Sequence, residues 1–168
     1  MAIDYRLGGG LDPLAFHVTS FSLFLFQCAL LLGFYRRVMD RAMPGGANRW
    51  LALLAAAWYA LHPANAETVN YITARSEILS TLGVVLALTL FAGGGIARRY
   101  HLYLLPAALA VLSKESGAMF APLLLLYIVL FEPDTRPRAS WPAFLVCFGL
   151  LFVGLRLATS YSPGGTSR

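Results

Sequence analysis

The residues able to do chemistry in this sequence fall into two short stretches. The first is His62-Pro63-Ala64-Asn65-Ala66-Glu67-Thr68-Val69-Asn70-Tyr71-Ile72-Thr73-Ala74-Arg75-Ser76-Glu77, and the second is Ser113-Lys114-Glu115-Ser116. Proline favours the first position of a helix, so a helical turn is expected to begin at Pro63 with His62 flanking it. Continued as one helix, Glu67, Tyr71 and Arg75 follow at i, i+4 and i+8 along one face, presenting a carboxylate, a phenol and a guanidinium together. Val69 and Ile72 point elsewhere and suit a membrane surface. The plain structural alternative is a surface helix with a solvated ion pair worth a few tenths of a kcal/mol. That accounts for Glu67 and Arg75 singly, and less well for the second charged stretch at the end of another apolar run. His62 reads as a helix-terminus residue, since its spacing from Glu67 does not match a metalloprotease pair. No metal site is expected.

The elements that must position these residues are apolar. The chain has 168 residues, 58% hydrophobic and 12% charged, with a mean hydropathy of +0.67. This is about half the charge of a soluble domain, and 21 charged side chains are too few to clothe one. Lipid is the expected solvent. The net charge of +5 builds no basic face for nucleic acid, because the cations sit in pairs between apolar runs. Cys28 and Cys147 lie within such runs and are expected to be free thiols. No cleavable signal peptide is read at the start.

The fold class expected is all-α, a polytopic transmembrane helix bundle forming a single domain over 1–168. A spanning helix needs about 20 apolar residues. Residues 14–35, 78–97 and 141–158 meet or approach that length, the last with Pro142 in its first turn. The runs 50–61, 102–113 and 118–131 are shorter. Arg36, Arg37, Arg41 and Arg49 around Pro44-Gly45-Gly46, and Arg98 and Arg99 after Gly93-Gly94-Gly95, read as cytoplasmic turns. About six crossings then put 62–77 and 113–117 on the non-cytoplasmic side. A re-entrant hairpin over 102–131 is the costlier alternative, since it carries Lys114 and Glu115 into the membrane. Trp50, Trp58 and Tyr71 read as interface or packing aromatics. Gln27, Ser20 and Ser22 read as interhelical hydrogen-bonding residues.

The order His62-Pro63, Glu67-Thr68-Val69, Tyr71-Ile72 and Arg75-Ser76-Glu77-Ile78-Leu79 resembles the HPxxxEAVxxIxxRxxLL signature of the transmembrane and tetratricopeptide-repeat-containing O-mannosyltransferase family and its bacterial relatives. Leu112-Ser113-Lys114-Glu115 resembles the LSKE stretch of those proteins, and residues 5–17, with Gly8, Gly9, Leu11, Pro13 and Phe16, resemble the lead into their next spanning helix. The likeness runs over roughly residues 3–131. Ser20 and Phe24 depart from it, standing where the family pattern has Asn and His.

The resemblance implies a C-type glycosyltransferase architecture that takes a sugar from a polyprenol-phosphate carrier at the non-cytoplasmic face. It also implies a protein or glycan acceptor and no cofactor beyond that donor substrate. A bacterial inner membrane is the implied location, or the endoplasmic reticulum membrane in a eukaryote. The main catalytic acid of such enzymes follows their first spanning helix. This sequence starts after that point and no tetratricopeptide helices follow Arg168, so the chain is expected to be a portion of a longer enzyme, inactive alone. Carried onto these residues, Arg75 and Lys114 are the lipid-phosphate or donor-binding cations and Glu67 the local catalytic carboxylate. His62, Tyr71, Glu77 and Glu115 are supporting. An Arg suits bidentate phosphate contact and a Lys acts as a point charge. The competing readings are a non-catalytic membrane anchor or assembly module, in which the charges cap helices, and a transporter fragment. The latter calls for ionisable groups near the bilayer midplane, whereas the spans here are nearly free of charge.

Overall fold

A computed structural model describes residues 13–71, 74–132 and 136–160. Among these every regular element is helical: α1 (Pro13–Ala42), α2 (Asn48–Leu61), α3 (Pro63–Asn70), α4 (Arg75–Gly93), α5 (Gly95–Arg99), α6 (Leu104–Ser113), a 3-10 turn (Glu115–Met119), α7 (Phe120–Phe131) and α8 (Arg136–Ser160). Two helices are long and apolar enough to cross a membrane, over Phe16–Ala42 and Arg75–Gly93. The stretches Leu104–Ser113, Glu115–Phe131 and Trp141–Gly154 are apolar but shorter. At 1.5 Å per residue, a helix of 10 residues such as α6 extends only about 15 Å, half of a hydrocarbon core.

The helix α1 buries a single stripe, Phe16, Ser20, Phe24, Gln27 and Leu31, whose spacing of three and four residues is that of one helical face. Its opposite face, with Phe21, Leu25 and Phe26, is exposed. After Ala42 the chain turns through Pro44-Gly45-Gly46. Asn48 fixes that turn by donating from Nδ2 to Asp40 Oδ1 at 2.9 Å and to the Met43 carbonyl at 2.8 Å. The second helix returns along α1 on its small residues Ala52 and Ala56, and Tyr59 stacks on Phe24 while its hydroxyl accepts from Gln27.

The next long helix, α4, runs parallel to α1. Arg75 at its start bonds the first turns of α1, and near its end the Thr89 and Ala92 carbonyls accept from Arg37 and Arg41. It ends where Gly94 and Gly95 take φ of +68° and +62°, a conformation glycine adopts without steric cost. The chain then returns through α6, which packs on α4. Their contact is close at Gly83, where an added Cβ would lie 2.7 Å from the Pro106 carbonyl oxygen and 2.9 Å from Ala110 Cβ. Around α4, α6, α7 and α8 lies the core of Leu88, Phe91, Tyr103, Phe120, Leu124 and Ile128.

Several boundaries differ from the sequence expectation. The helix expected to end near residue 35 continues to Ala42 and carries Arg36, Arg37 and Arg41 on its last turns, because straight-chain arginines sustain a helix once one is propagating. The segment expected to reach residue 97 stops at Gly93. The last helix starts at Arg136, so Pro142 lies inside it and not in its first turn. Ser22 bonds the Val18 carbonyl of its own helix, leaving only Gln27 and Ser20 with the interhelical bonds expected of all three.

Candidate functional site

The short helix α3 is set by its two ends. Pro63 occupies the N-terminal position, and His62 is the cap, its Nδ1 accepting from the Ala64 N–H at 3.3 Å. Asn65 Nδ2 donates to the Tyr59 carbonyl, tying α3 back onto α2. At the other end the Tyr71 N–H bonds the Glu67 carbonyl at 3.1 Å, but Tyr71 itself is extended, with φ −89° and ψ 121°. A second helix then begins at Arg75. The continuous face expected for Glu67, Tyr71 and Arg75 is therefore broken. The physical reason is the run Val69-Asn70-Tyr71-Ile72-Thr73, five consecutive residues of modest helix propensity, three of them β-branched. Ile72 and Thr73 lie outside the described residues, as do residues 1–12 and with them residues 5–12 of the N-terminal likeness.

That break aims the charged groups differently. Glu67, Tyr71 and Glu77, with Ala64, Thr68 and Ala74, line one open groove of about 610 Å³. Arg75 turns away from α3 to the first turns of α1. Its Nη2 donates to the Phe16 carbonyl at 2.9 Å and to Ser20 Oγ at 3.3 Å, and its guanidinium lies over the Phe16 ring, 5.7 Å from the centroid. Lys114, at the end of α6, reaches Glu77 Oε1 at 2.5 Å. Beneath that pair the Ser80 and Ser116 hydroxyls stand 3.5 Å apart, and Glu115 is exposed in the 3-10 turn.

Three segments separated in sequence thus meet at one end of the bundle: α3, the start of α4 and the α6 to α7 connection. Among Glu67, Arg75, Glu77, Lys114 and Glu115 there are three carboxylates and two cations, and both cations are engaged by protein groups. Glu67 is exposed and makes no ion pair among the described residues, so it is the groove carboxylate open to an incoming hydroxyl or amine. Beside the groove, on α2 and the cap of α3, Leu54, Ala57, Trp58, Leu61, His62 and Pro63 line an apolar recess of about 360 Å³. Trp58 is 79% exposed and Leu61 83%, so neither packs in the core. No group of three His, Cys, Asp or Glu side chains among the described residues is placed to hold a metal ion.

Ser20 and Phe16 are the partners that spacing arguments did not assign to Arg75. Their signal is in the sequence: a hydroxyl on a mostly apolar stripe needs a hydrogen-bonding partner, here one from another helix. The opposite end of the bundle is built from arginines. Arg41 and Arg98 both bond Glu132. Burial alone would raise the Glu132 pKa, but the hydrogen bonds and charges of Arg98 and then Arg41 outweigh it and hold the carboxyl below its ordinary value. Comparison with known protein families, with curated proteins and with solved structures finds no match to this chain.

Proposed function

We propose that this chain is the membrane portion of a glycosyltransferase that takes sugar from a polyprenol-phosphate donor at the non-cytoplasmic face. On this reading the short apolar helices cross or line the membrane beside the two long ones, and sugar transfer requires more of the enzyme than these residues. One observation carries the reading: the two motif stretches that resemble the O-mannosyltransferase family, far apart in sequence, meet through the Lys114–Glu77 pair at the mouth of the Glu67–Tyr71–Glu77 groove. A lipid-phosphate donor needs cations near the leaving phosphate, a carboxylate near the acceptor and an apolar lane for its chain. Lys114 supplies the first at the groove and Glu67 the second; Arg75, turned to α1, joins Lys114 by exchanging its Phe16 and Ser20 bonds for the phosphate. The recess along Trp58 and Leu61 supplies the third. His62 holds α3, Tyr71 forms the groove wall and Glu77 positions Lys114.

A second reading has its own observation. Arg75 is bonded to Phe16 and Ser20, and Lys114 to Glu77, so the same charges serve to fasten helix ends in a non-catalytic anchor or assembly module. Binding of an undecaprenyl phosphate and of the parent undecaprenol to the purified chain separates the two. The transferase reading expects the phosphate to tighten binding at least about tenfold, the scale of one charge-assisted hydrogen bond, and Lys114→Gln or Arg75→Gln to remove that gain. Equal binding of phosphate and alcohol sinks it in favour of the anchor.

A further inference from the structure

The arginine end of the bundle carries more charge than its own fastening uses. Among the residues whose side chains are described, Arg36, Arg37, Arg41, Arg49, Arg98 and Arg99 gather there against Asp40 and Glu132, an excess of four positive charges, whereas the motif end holds Arg75 and Lys114 against Glu67, Glu77 and Glu115. The grouping follows from contacts: Arg37 and Arg41 reach the last turn of α4, Arg41 and Arg98 share Glu132, and Asp40 holds the first residue of α2 next to Arg49. Only Arg41 and Arg98 are committed to the Glu132 bridge. Arg36, Arg37, Arg49 and Arg99 are exposed, Arg36 in a solvent-exposed pair with Asp40 at 3.9 Å.

Aromatic rings accompany them. Trp50, next to Arg49, is 65% exposed, and so is Tyr100, over whose ring the Arg99 guanidinium sits at 6.0 Å. Exposed Trp and Tyr settle at headgroup depth, and arginines beside them sit where phosphates are densest. A soluble acidic partner would gain nothing from these rings being flanked by apolar helix faces such as Leu51 and Leu54; a bilayer would.

We propose that this end is a docking surface for anionic phospholipid headgroups, with Arg36, Arg49 and Arg99 as the phosphate-binding cations and Trp50 and Tyr100 as the depth anchors. It rests on the membrane part of the proposed function and is independent of the transferase part. Each arginine held at an anionic surface strengthens association about fivefold, so local enrichment of an anionic lipid by that factor or more is expected.

Tryptophan quenching by brominated lipids reads this directly. The full chain with Trp58→Phe and Trp141→Phe leaves Trp50 as reporter, and the chain with Trp50→Phe and Trp141→Phe leaves Trp58 near the other end as control. In vesicles of phosphatidylcholine with phosphatidylglycerol, the lipids are brominated one at a time. Trp50 should show a preference of about fivefold for brominated phosphatidylglycerol, Trp58 none. Arg36→Gln, Arg49→Gln and Arg99→Gln together should bring the Trp50 preference to near unity with an unchanged far-ultraviolet dichroism spectrum, and the matching Arg→Lys set should keep most of it. Equal quenching of Trp50 by both lipids overturns the proposal alone, as does an equal preference at Trp58, which would reflect net charge only. Quenching of neither tryptophan by either lipid overturns it together with the membrane reading.

Discussion

The contact between α4 and α6 decides where Glu77 and Lys114 stand, and Gly83 is the residue that permits it. Replacing Gly83 by Ala has two opposed effects. In a helix interior Ala is favoured over Gly by about 1 kcal/mol. Against that, the new methyl would lie 2.7 Å from the Pro106 carbonyl oxygen and 2.9 Å from Ala110 Cβ, both well inside van der Waals contact, and backbone on α6 would have to move. Overpacking of this kind costs about 1–3 kcal/mol, so a net loss of about 1 kcal/mol is expected. Gly33 in α1 supplies the reference, since nothing lies within 4 Å of its added Cβ; Gly33→Ala retains the propensity gain without the clash. The difference between the two variants isolates the contact, because the propensity contribution cancels. For a chain of this size 1 kcal/mol corresponds to about 2–4 °C in Tm. Thermal melts in detergent followed by far-ultraviolet dichroism should place Gly83→Ala below Gly33→Ala by roughly 2–12 °C. Equal melting temperatures for the two would refute the close approach, and with it the placement of Lys114 beside Glu77.

Three further outcomes follow from individual contacts. Glu132→Gln should destabilise the folded chain by about 1–3 kcal/mol at neutral pH, the scale of hydrogen bonds to charged groups, read by denaturant titration. Because the folded carboxyl of Glu132 is held below its unfolded value, its contribution is complete above the ordinary carboxylate range and is lost as pH falls through the lower folded value; the variant should lack that acid-side slope, and an unchanged slope would remove Glu132 as its source. The Lys114–Glu77 pair is partly exposed, its side chains 37% and 47% accessible, so a double-mutant cycle with Lys114→Gln and Glu77→Gln should give a coupling of only about 0.2–1 kcal/mol that shrinks with salt. His62→Ala should cost about 0.5–1 kcal/mol through loss of the α3 cap, and hydrogen exchange at the Ala64 amide should quicken more than exchange within α4.

Much of the architecture was legible because it depends on local rules. The apolar runs, the Pro63 start of α3 and the separation of the arginine stretches from the motif stretches all follow from composition and turn chemistry, and the helices and contacts agree with them. What periodicity could not show was the end of α3. A helical wheel drawn through Glu67, Tyr71 and Arg75 assumes that the backbone stays helical, and weak propensity over residues 69–73 is decided by tertiary contacts. Arg75 has a hydroxyl and a carbonyl on α1 to bond, a choice invisible from its own neighbours in sequence. The length of α1 was missed for a related reason: a charge ends a hydrophobic run but does not end a helix.

The two ends of the bundle use ion pairs of unequal kind, and this bears on which end can change. Glu132 is shared by Arg41 and Arg98, which come from α1 and α5, so one carboxylate fastens three elements and losing it leaves two guanidinium groups facing each other. At the motif end Lys114 has one carboxylate, Glu77, and that carboxylate also forms part of the groove wall. An anion entering the groove would therefore compete with Glu77 for Lys114 at the cost of a single partly exposed pair, worth under about 1 kcal/mol. The Glu132 bridge thus ties together more of the fold than the Lys114–Glu77 pair does, and an exchange of partner at the partly exposed Lys114 costs the fold little.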